Sequence, residues 1–306
     1  MTSLRVGFRP PRTLFAEPAR LAAFVRAAEE GGLHRLVVGD HVGFRGGQGF
    51  DGLVQATVLA ALSTRLTVGT AVYLLPLRHP VPVARQVASL ADFAPGRVEF
   101  GVGIGGEDPA EYRICEVDPR TRGARADEAL AIVRPLLAGE EVTFHGRHFD
   151  VEDVVFRPAP VGPVPLLVGG RSEAALRRTA RYGDGWIGVW ISPERFAAGT
   201  AQVAEFAAAA GREVGDWRHT MHVWCGFGPD HESAQRLLAA DMEGLYHIPF
   251  ARFARYCPAG TPEDIAEALA PYIAAGCRDV NLLAVAKDAE TALEGTLAVR
   301  DLLRAS

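Results

Sequence analysis

Short apolar runs alternate with longer amphipathic stretches along most of the chain. Each run is too short for a helix and is rich in residues that suit a buried strand. Strands are predicted at Leu4–Phe8, Arg35–Gly39, Leu66–Ala71, Val98–Gly103, Val164–Val168, Gly185–Gly188, His219–Cys225 and Asp279–Leu283. The stretches between them repeat apolar positions at the helical period. Helices are predicted at Glu17–Glu30, Asp51–Ser63, Pro80–Phe93, Pro119–Leu137, His231–Met242, Pro262–Ala275 and Ala289–Leu303, and directly after Ser172.

The alternation of strands and helices predicts an α/β fold with a parallel sheet. No two of these strands lie close enough along the chain to form a hairpin. A chain of 306 residues suits one (β/α)8 TIM barrel over residues 1–306. A doubly wound open sheet is the alternative, because strand number alone does not prove closure. Residues 139–163 interrupt the rhythm with an alternating pattern around His145-Gly146, which predicts a β-hairpin insertion.

Composition and charge exclude several classes of protein. A net charge of −5 gives no sign of a nucleic-acid or anionic-membrane partner. The four cysteines form no C-x-x-C pair, and His145 and His148 lack a third ligand, so we expect no metal. No apolar run reaches the ~18 residues of a membrane span, and no signal-peptide core is present. We expect a cytoplasmic enzyme that acts on a small-molecule substrate.

In a TIM barrel the active site lies at the carboxyl ends of the strands. This rule selects Phe8-Arg9, Asp40-His41, Ala71–Leu75, Ile104–Asp108, Gly169–Glu173, Val189-Trp190, Trp224–Gly226 and Leu283–Ala286. Large aromatic residues at or near these ends are expected to line a substrate pocket, and they are Phe44, Tyr73, Trp190 and Trp224. An apolar mouth of this kind suits a planar organic cofactor.

The stretch from Val164 to Gly188 predicts a phosphate site. An apolar strand leads into Gly169-Gly170, and Ser172 is a good N-cap for the helix that follows. Free backbone N–H groups and the positive end of the helix dipole would converge on an anion there. A tight turn without a ligand is the alternative, and it would be preferred for an isolated glycine pair.

These segments together resemble the luciferase-like monooxygenase family of flavin- and deazaflavin-dependent oxidoreductases. The resemblance rests on VGDH at 38–41, the run at 64–107 that ends in GVGIGGE, RGARADEAL at 122–130, GRHF at 146–149, VGGRSEAALRRTARYGDGWI at 168–187 and GTPEDIAEALAPYIAAGC at 260–277. It implies a (β/α)8 fold that binds coenzyme F420 (a 5-deazaflavin) or FMN across the barrel mouth. Glycine-rich fingerprints of the dinucleotide type are rejected, because Glu107-Asp108-Pro109 are not expected to open a helix.

The resemblance also assigns roles to residues. It places His41 at the reaction centre with Asp40 beside it, and an imidazole near neutrality suits proton transfer. It implies a non-prolyl cis peptide at Ala71-Val72 behind the cofactor ring. The remaining cofactor-binding residues that it implies are Gly105, Gly106, Gly169, Gly170, Ser172 and Glu173.

One departure from the family concerns the catalytic acid. Deazaflavin-dependent glucose-6-phosphate dehydrogenases carry a catalytic glutamate at the position of Gly106 in this chain. The nearest glutamate here, Glu107, lies one residue after that position. Glu107 is therefore a candidate acid that would have to swing inward. Lys287 is the only lysine, so no lysine near the mouth could hold a substrate phosphate. An arginine could replace the lysine, but the simpler inference is a different and less charged substrate.

Three functions stay open on the sequence alone. The first is F420-dependent hydride transfer to or from a small organic substrate. The second is an FMN-dependent monooxygenase supplied by a partner flavin reductase, and the third is a non-catalytic flavin-binding barrel. Residues 243–259 are expected to form a lid-like loop over the mouth. The resemblance suggests a homodimer through the helices around the second and third strands, although no apolar stripe in those helices demands it.

Overall fold

Capping residues and first-turn prolines set where the helices begin. The computed structural model describes residues 4–213 and 215–305. Side chains of Asp51, Asp108, Ser172, Ser192, Asp230 and Thr261 cap helices by accepting backbone N–H groups. The helices are α1 (Pro18–Glu30), α2 (Phe44–Gly47, one irregular turn), α3 (Gly52–Leu62), α4 (Pro80–Phe93), α5 (Pro109–Ile114), α6 (Arg122–Leu137), α7 (Glu173–Tyr182), α8 (Pro193–Ala209), α9 (His231–Tyr246), α10 (Pro262–Ala274) and α11 (Ala289–Ala305).

The strands close into a barrel. They are β1 (Arg5–Phe8), β2 (Arg35–Val38), β3 (Thr67–Leu74), β4 (Val98–Gly103), β5 (Val142–His145), β6 (Asp150–Val154), β7 (Leu166–Gly169), β8 (Gly185–Val189), β9 (Thr220–Phe227), β10 (Ala259–Gly260) and β11 (Asp279–Val285). Parallel pairing runs in the order β9-β11-β1-β2-β3-β4-β7-β8, and β8 pairs with β9 to complete the circuit. The predicted (β/α)8 barrel is confirmed, and the open-sheet alternative is wrong.

Three strands run at least two residues further than the apolar pattern predicts. β3 continues to Leu74, β9 to Phe227 and β11 to Val285. The register of β3 against β4 shifts between Thr70 and Tyr73, and the peptide bond between Ala71 and Val72 is cis in this interval. The extra residues bring strand backbone up to the mouth of the barrel.

The structure confirms the hairpin predicted at residues 139–163, and it shows more helix than expected at residues 243–259. The insertion at 139–163 contains the antiparallel hairpin of β5 and β6, as its alternating pattern predicts. The expected loop at 243–259 is partly helical, because α9 extends to Tyr246. Two short 3-10 turns follow, at Phe250–Arg252 and Ala254–Tyr256, and β10 then pairs with β9.

The short helix α5 was not expected. Asp108 caps it and Pro109 occupies its first turn, so Glu107-Asp108-Pro109 does open a helix and the reason given for rejecting a dinucleotide fingerprint is wrong. The closed barrel still excludes the open sheet on which that fingerprint depends. Among residues 4–213 and 215–305, no helix is long and apolar enough to cross a bilayer.

Candidate functional site

A cavity of about 460 Å³ opens at the carboxyl ends of the barrel strands. Its volume lies in the usual range for small-molecule sites. Most residues that the sequence assigns to the site line this cavity: Asp40, His41, Phe44, Ala71, Val72, Gly105, Glu107, Gly169, Gly170, Ser172, Trp190 and Trp224. The structure therefore brings together residues from distant parts of the chain.

Three predicted site residues lie elsewhere. Tyr73 is 1% exposed, packs against Phe100 and belongs to the apolar layer between the sheet and the surrounding helices, so it does not line the cavity. Gly106 lies beside the guanidinium of Arg122, and Glu173 pairs with Arg177 on the exposed face of α7. Successive strand residues point to opposite faces, and the irregular register of β3 hides which face Tyr73 takes.

His41 is held by a glutamate that the sequence analysis missed. Its Nδ1 lies 3.0 Å from a carboxylate oxygen of Glu111, and the other carboxylate oxygen accepts the backbone N–H groups of Val42 and Gly43. Burial alone would raise the pKa of Glu111, but these hydrogen bonds hold it below its ordinary value. An ionised Glu111 keeps a proton on Nδ1 and leaves Nε2 for a bound molecule.

Glu111 comes from the unpredicted helix α5. A six-residue helix is too short for a periodic apolar pattern, so pattern analysis passes over it. The capping signal of Asp108 followed by Pro109 was the one feature that could have revealed it. Glu107 lies at the exposed rim of the cavity, and the carboxylate that meets His41 is that of Glu111.

Asp40 organises the mouth from behind His41. Its carboxylate accepts hydrogen bonds from the backbone N–H groups of Gly52 and Leu74, at 3.0 and 2.9 Å, and forms an ion pair with Arg78. Burial raises the pKa of Asp40 against the opposing charge of Arg78. Both carboxylate oxygens are occupied, so Asp40 ties the end of β2 to β3 and α3.

Ala71, Val72, Gly103 and Gly169 form one side of the cavity, which we call the Val72 wall. A Cβ atom at Gly103 or Gly169 would overlap the side chain of Val72. Glycine at these positions lets Val72 lie flat against β4 and β7. The amide Nε2 of Gln55, which also lines the cavity, is buried without a hydrogen-bond partner among the described residues.

The predicted phosphate turn opens onto the same cavity. Ser172 accepts the backbone N–H of Ala175, as expected of an N-cap, and α7 begins at Glu173. Gly169, Gly170, Arg171 and Ser172 line the cavity just before this helix. The first N–H groups of a helix have no partner within it, so these donors are available to an anion.

The opposite side of the cavity combines Trp224, which was predicted to line the pocket, with polar residues that were not assigned to it. Arg9, His222, Trp224 and Tyr246, which we call the Arg9 wall, line it. The guanidinium carbon of Arg9 lies 4.5 Å from the ring centroid of Trp224. Arg9 and Trp224 are among the residues at the predicted strand ends, and His222 is not. Among the described residues no cluster of His, Cys, Asp and Glu is arranged to hold a metal ion.

This combination of closed barrel, cis peptide and glycine-rich mouth agrees with the family comparison. The model of the luciferase-like monooxygenase family matches residues 4–256. The chain belongs to this family. Membership supports an oxidoreductase, as the resemblance in the sequence implies.

Individual relatives carry more specific names. An uncharacterized protein of Mycobacterium tuberculosis is 40% identical over 159 residues, and the match spans 52% of this chain and only 54% of that protein. An F420-dependent glucose-6-phosphate dehydrogenase of Kineococcus radiotolerans is 30% identical over 308 residues, with 89% of each chain covered. An F420-dependent secondary alcohol dehydrogenase, solved with an F420-acetone adduct, superposes with a TM-score of 0.85 at 20% identity and covers 98% of this chain and 99% of its own. At that identity the superposition establishes the fold alone.

Proposed function

We propose that this protein is an F420-dependent oxidoreductase that moves a hydride to or from a small organic substrate at the barrel mouth. The observation that carries the proposal is the pair formed by His41 and the buried Glu111 at the edge of the cavity. The relative from Kineococcus radiotolerans, which bears an F420-dependent name and aligns over 89% of this chain, supports the choice of cofactor.

The residues present fit such a cofactor. The flat Val72 wall suits one face of a planar ring. The amide Nε2 of Gln55 has no partner among the described residues and could donate a hydrogen bond to the cofactor. The turn at Gly169–Ser172 and the start of α7 would hold a phosphate. When bound, F420 supplies a ring carbon that takes up or releases a hydride.

His41 has the properties of the proton carrier for this reaction. Hydride transfer between an alcohol and a carbonyl compound requires a proton to leave or join the substrate oxygen. Nδ1 of His41 is committed to Glu111, so Nε2 exchanges that proton. Glu111 is a positioning residue, because its hydrogen bond to Nδ1 fixes the tautomer and orientation of the ring. We assign no required role to Glu107 at the rim.

We also propose that the protein forms a homodimer through α3. The helix is apolar all round, and Val54, Val58 and Leu62 stand exposed at a spacing of four residues on its outer face. Such a row is the stripe that the sequence analysis did not recognise in these helices. Light scattering of Val58→Glu beside the wild type tests the arrangement: a dimer that dissociates supports it, and an unchanged mass overturns it.

Equilibrium binding of F420 and FMN, each oxidised and reduced, tests the cofactor. Fluorescence quenching of purified protein should give tight binding of F420 and weak binding of FMN. His41→Gln should bind F420 as the wild type does, since His41 acts on the substrate. Preference for FMN would overturn the proposal in favour of a monooxygenase that depends on a partner reductase. Tight F420 binding without turnover on any alcohol or carbonyl compound would favour a non-catalytic binding protein.

A further inference from the structure

Arg9 is a partly buried cation that forms no ion pair with a described carboxylate. It follows β1 and lines the cavity, and its guanidinium lies over the ring of Trp224. Among the described residues no ion pair or side-chain hydrogen bond of Arg9 is found. The acidic residues that line the cavity are Asp40, which is bound to Arg78, and Glu107, which is at the rim. Removing such a charge from water without an ion pair costs free energy, and a ligand of opposite charge would offset that cost.

Burial lowers the pKa of Arg9, and Asp241 on α9 opposes this lowering through its charge but forms no ion pair with Arg9. The neighbours of Arg9 that line the cavity with it add hydrogen-bond donors. His222 is 8% exposed, and its Nδ1 has no partner among the described residues. Burial, with a smaller contribution from the charge of Arg9, lowers the pKa of His222 to about 3, so the ring is neutral. Burial also raises the pKa of Tyr246 to about 12, which keeps its hydroxyl protonated.

The strand order places these donors across the mouth from the Val72 wall. His222 and Trp224 are two residues apart on β9 and so share its inner face. β9, β11 and β1 are neighbours, and β9 is four strands from β3 in either direction around the barrel. A planar ring lying on Val72 would therefore leave the Arg9 wall to face the molecule that reacts with it.

We propose that the Arg9 wall binds the carboxylate of an apolar organic acid, and that this acid is the substrate; the second half of the statement rests on the function proposed above. The fork of a guanidinium matches a planar carboxylate through two parallel hydrogen bonds. The apolar remainder of the acid would pack on Trp190, Leu245 and Tyr246, which line the same side of the cavity. The absence of lysine led us to expect a less charged substrate, and Arg9 reverses that expectation.

Calorimetric titration with benzoate and with its neutral analogue benzamide tests this assignment. Wild-type protein saturated with F420 should bind benzoate at least tenfold more tightly than benzamide. Arg9→Gln should lose this preference, because glutamine presents no charge to the carboxylate. Arg12→Gln removes the same charge from the rim, where Arg12 is bonded to Gln48, and should keep the preference. If Arg9→Gln does not fold, Arg9→Lys retains the charge without the fork and should weaken benzoate binding while leaving benzamide unaffected.

The same titrations without F420 separate this inference from the proposed function. Failure of F420 to bind would overturn the proposed function and leave the comparison of benzoate with benzamide intact. Equal affinities for the two probes, or a preference that survives in Arg9→Gln, would overturn the carboxylate site. Tighter binding of inorganic phosphate than of benzoate would overturn it as well, since a tetrahedral anion would then be the better match.

Discussion

Arg5 and Arg9, which lie at the two ends of β1, differ in their partners. Arg5 begins β1 at the base and pairs with Asp279 at 2.5 Å. Beside it, Arg35 is 1% exposed and contacts Glu99 and Asp279, and Arg218 completes the cluster on Glu99. Arg9 follows the other end of β1 at the mouth, and it forms no ion pair with a described carboxylate. The arginines of the base therefore pair with carboxylates of the same chain, whereas Arg9 is free to pair with a ligand.

The difference separates residues that stabilise the fold from residues that bind. In TIM barrels the amino-terminal end of the strands serves stability and the carboxyl-terminal end serves function. Burial alone would raise the pKa of Glu99, but Arg35 and Arg218 hold it below its ordinary value, so the base cluster is ionised. Buried polar atoms without a hydrogen bond occur at both ends, among them Nε of Arg35 at the base and Nδ1 of His222 at the mouth, so ion pairing is what separates the two.

Replacing the two arginines by glutamine should give the largest contrast. Arg35→Gln leaves Glu99 and Asp279 buried without their shared cation, and it should lower the free energy of unfolding by about 3–5 kcal/mol. Arg9→Gln removes an unpaired charge and should change it by less than about 1 kcal/mol. Urea unfolding of the two variants and the wild type measures both values. Equal losses would show that the ends of the barrel do not differ in this way.

Variants of His41 and Glu111 should lose turnover, whereas a variant of the other buried glutamate, Glu99, should lose stability. His41→Gln should lower turnover about 100-fold, or about 2.7 kcal/mol of activation free energy, through loss of the proton carrier. Glu111→Gln should lower it by a smaller factor, because the ring keeps a hydrogen-bonding neighbour. Both should bind F420 normally.

Glu99→Gln is the control for these variants. It disturbs the base cluster, and it should reduce stability while turnover at 25 °C stays at the wild-type value. Unchanged turnover in both His41→Gln and Glu111→Gln would remove the pair from the mechanism.

Acid should weaken the mouth through His222, as it weakens the base through His34, whose pKa is lowered to about 4 by burial. His222 has a folded pKa of about 3 against about 6.5 in the unfolded chain, so unfolding takes up a proton as the pH falls below the higher value. The resulting loss is about 1.4 kcal/mol at pH 5.5. Glu99, with its lowered pKa, contributes stability that is lost only as the pH falls through its folded pKa, below the ordinary value.

Unfolding free energies of His222→Gln at pH 7.5 and 5.5 measure this effect. The variant should lose about 1.4 kcal/mol less than the wild type over the interval. His247→Gln, which alters an exposed histidine, should follow the wild-type slope. Parallel curves for all three proteins would show that His222 is not the group that titrates.

Sequence reasoning predicted the barrel because strand and helix periods are local signals. It also predicted His41, the Ala71-Val72 segment and the Ser172 cap, since each stands next to a strand end in a motif that resembles a family. It missed the contact of Glu111 with His41 and the unpartnered Nδ1 of His222, because the first depends on a partner distant in the chain and the second on the lack of one. Tyr73 was misplaced for a related reason: the shifted register of β3 reverses the face on which a side chain falls.

The smallest effect concerns two serine caps of the same type. Ser172 caps α7 at the mouth, and Ser192 caps α8 outside the residues that line the cavity. Replacing either by alanine should cost about 1 kcal/mol of unfolding free energy, since each leaves one backbone N–H without its acceptor. Only Ser172→Ala should also weaken the binding of F420, because the N–H groups at the start of α7 are then held less firmly toward the phosphate. Thermal unfolding and fluorescence titration of both variants supply the two readouts. Equal loss of F420 affinity in Ser192→Ala would mean that the phosphate is not bound at α7, and the cofactor would then have to be anchored by another part of the mouth.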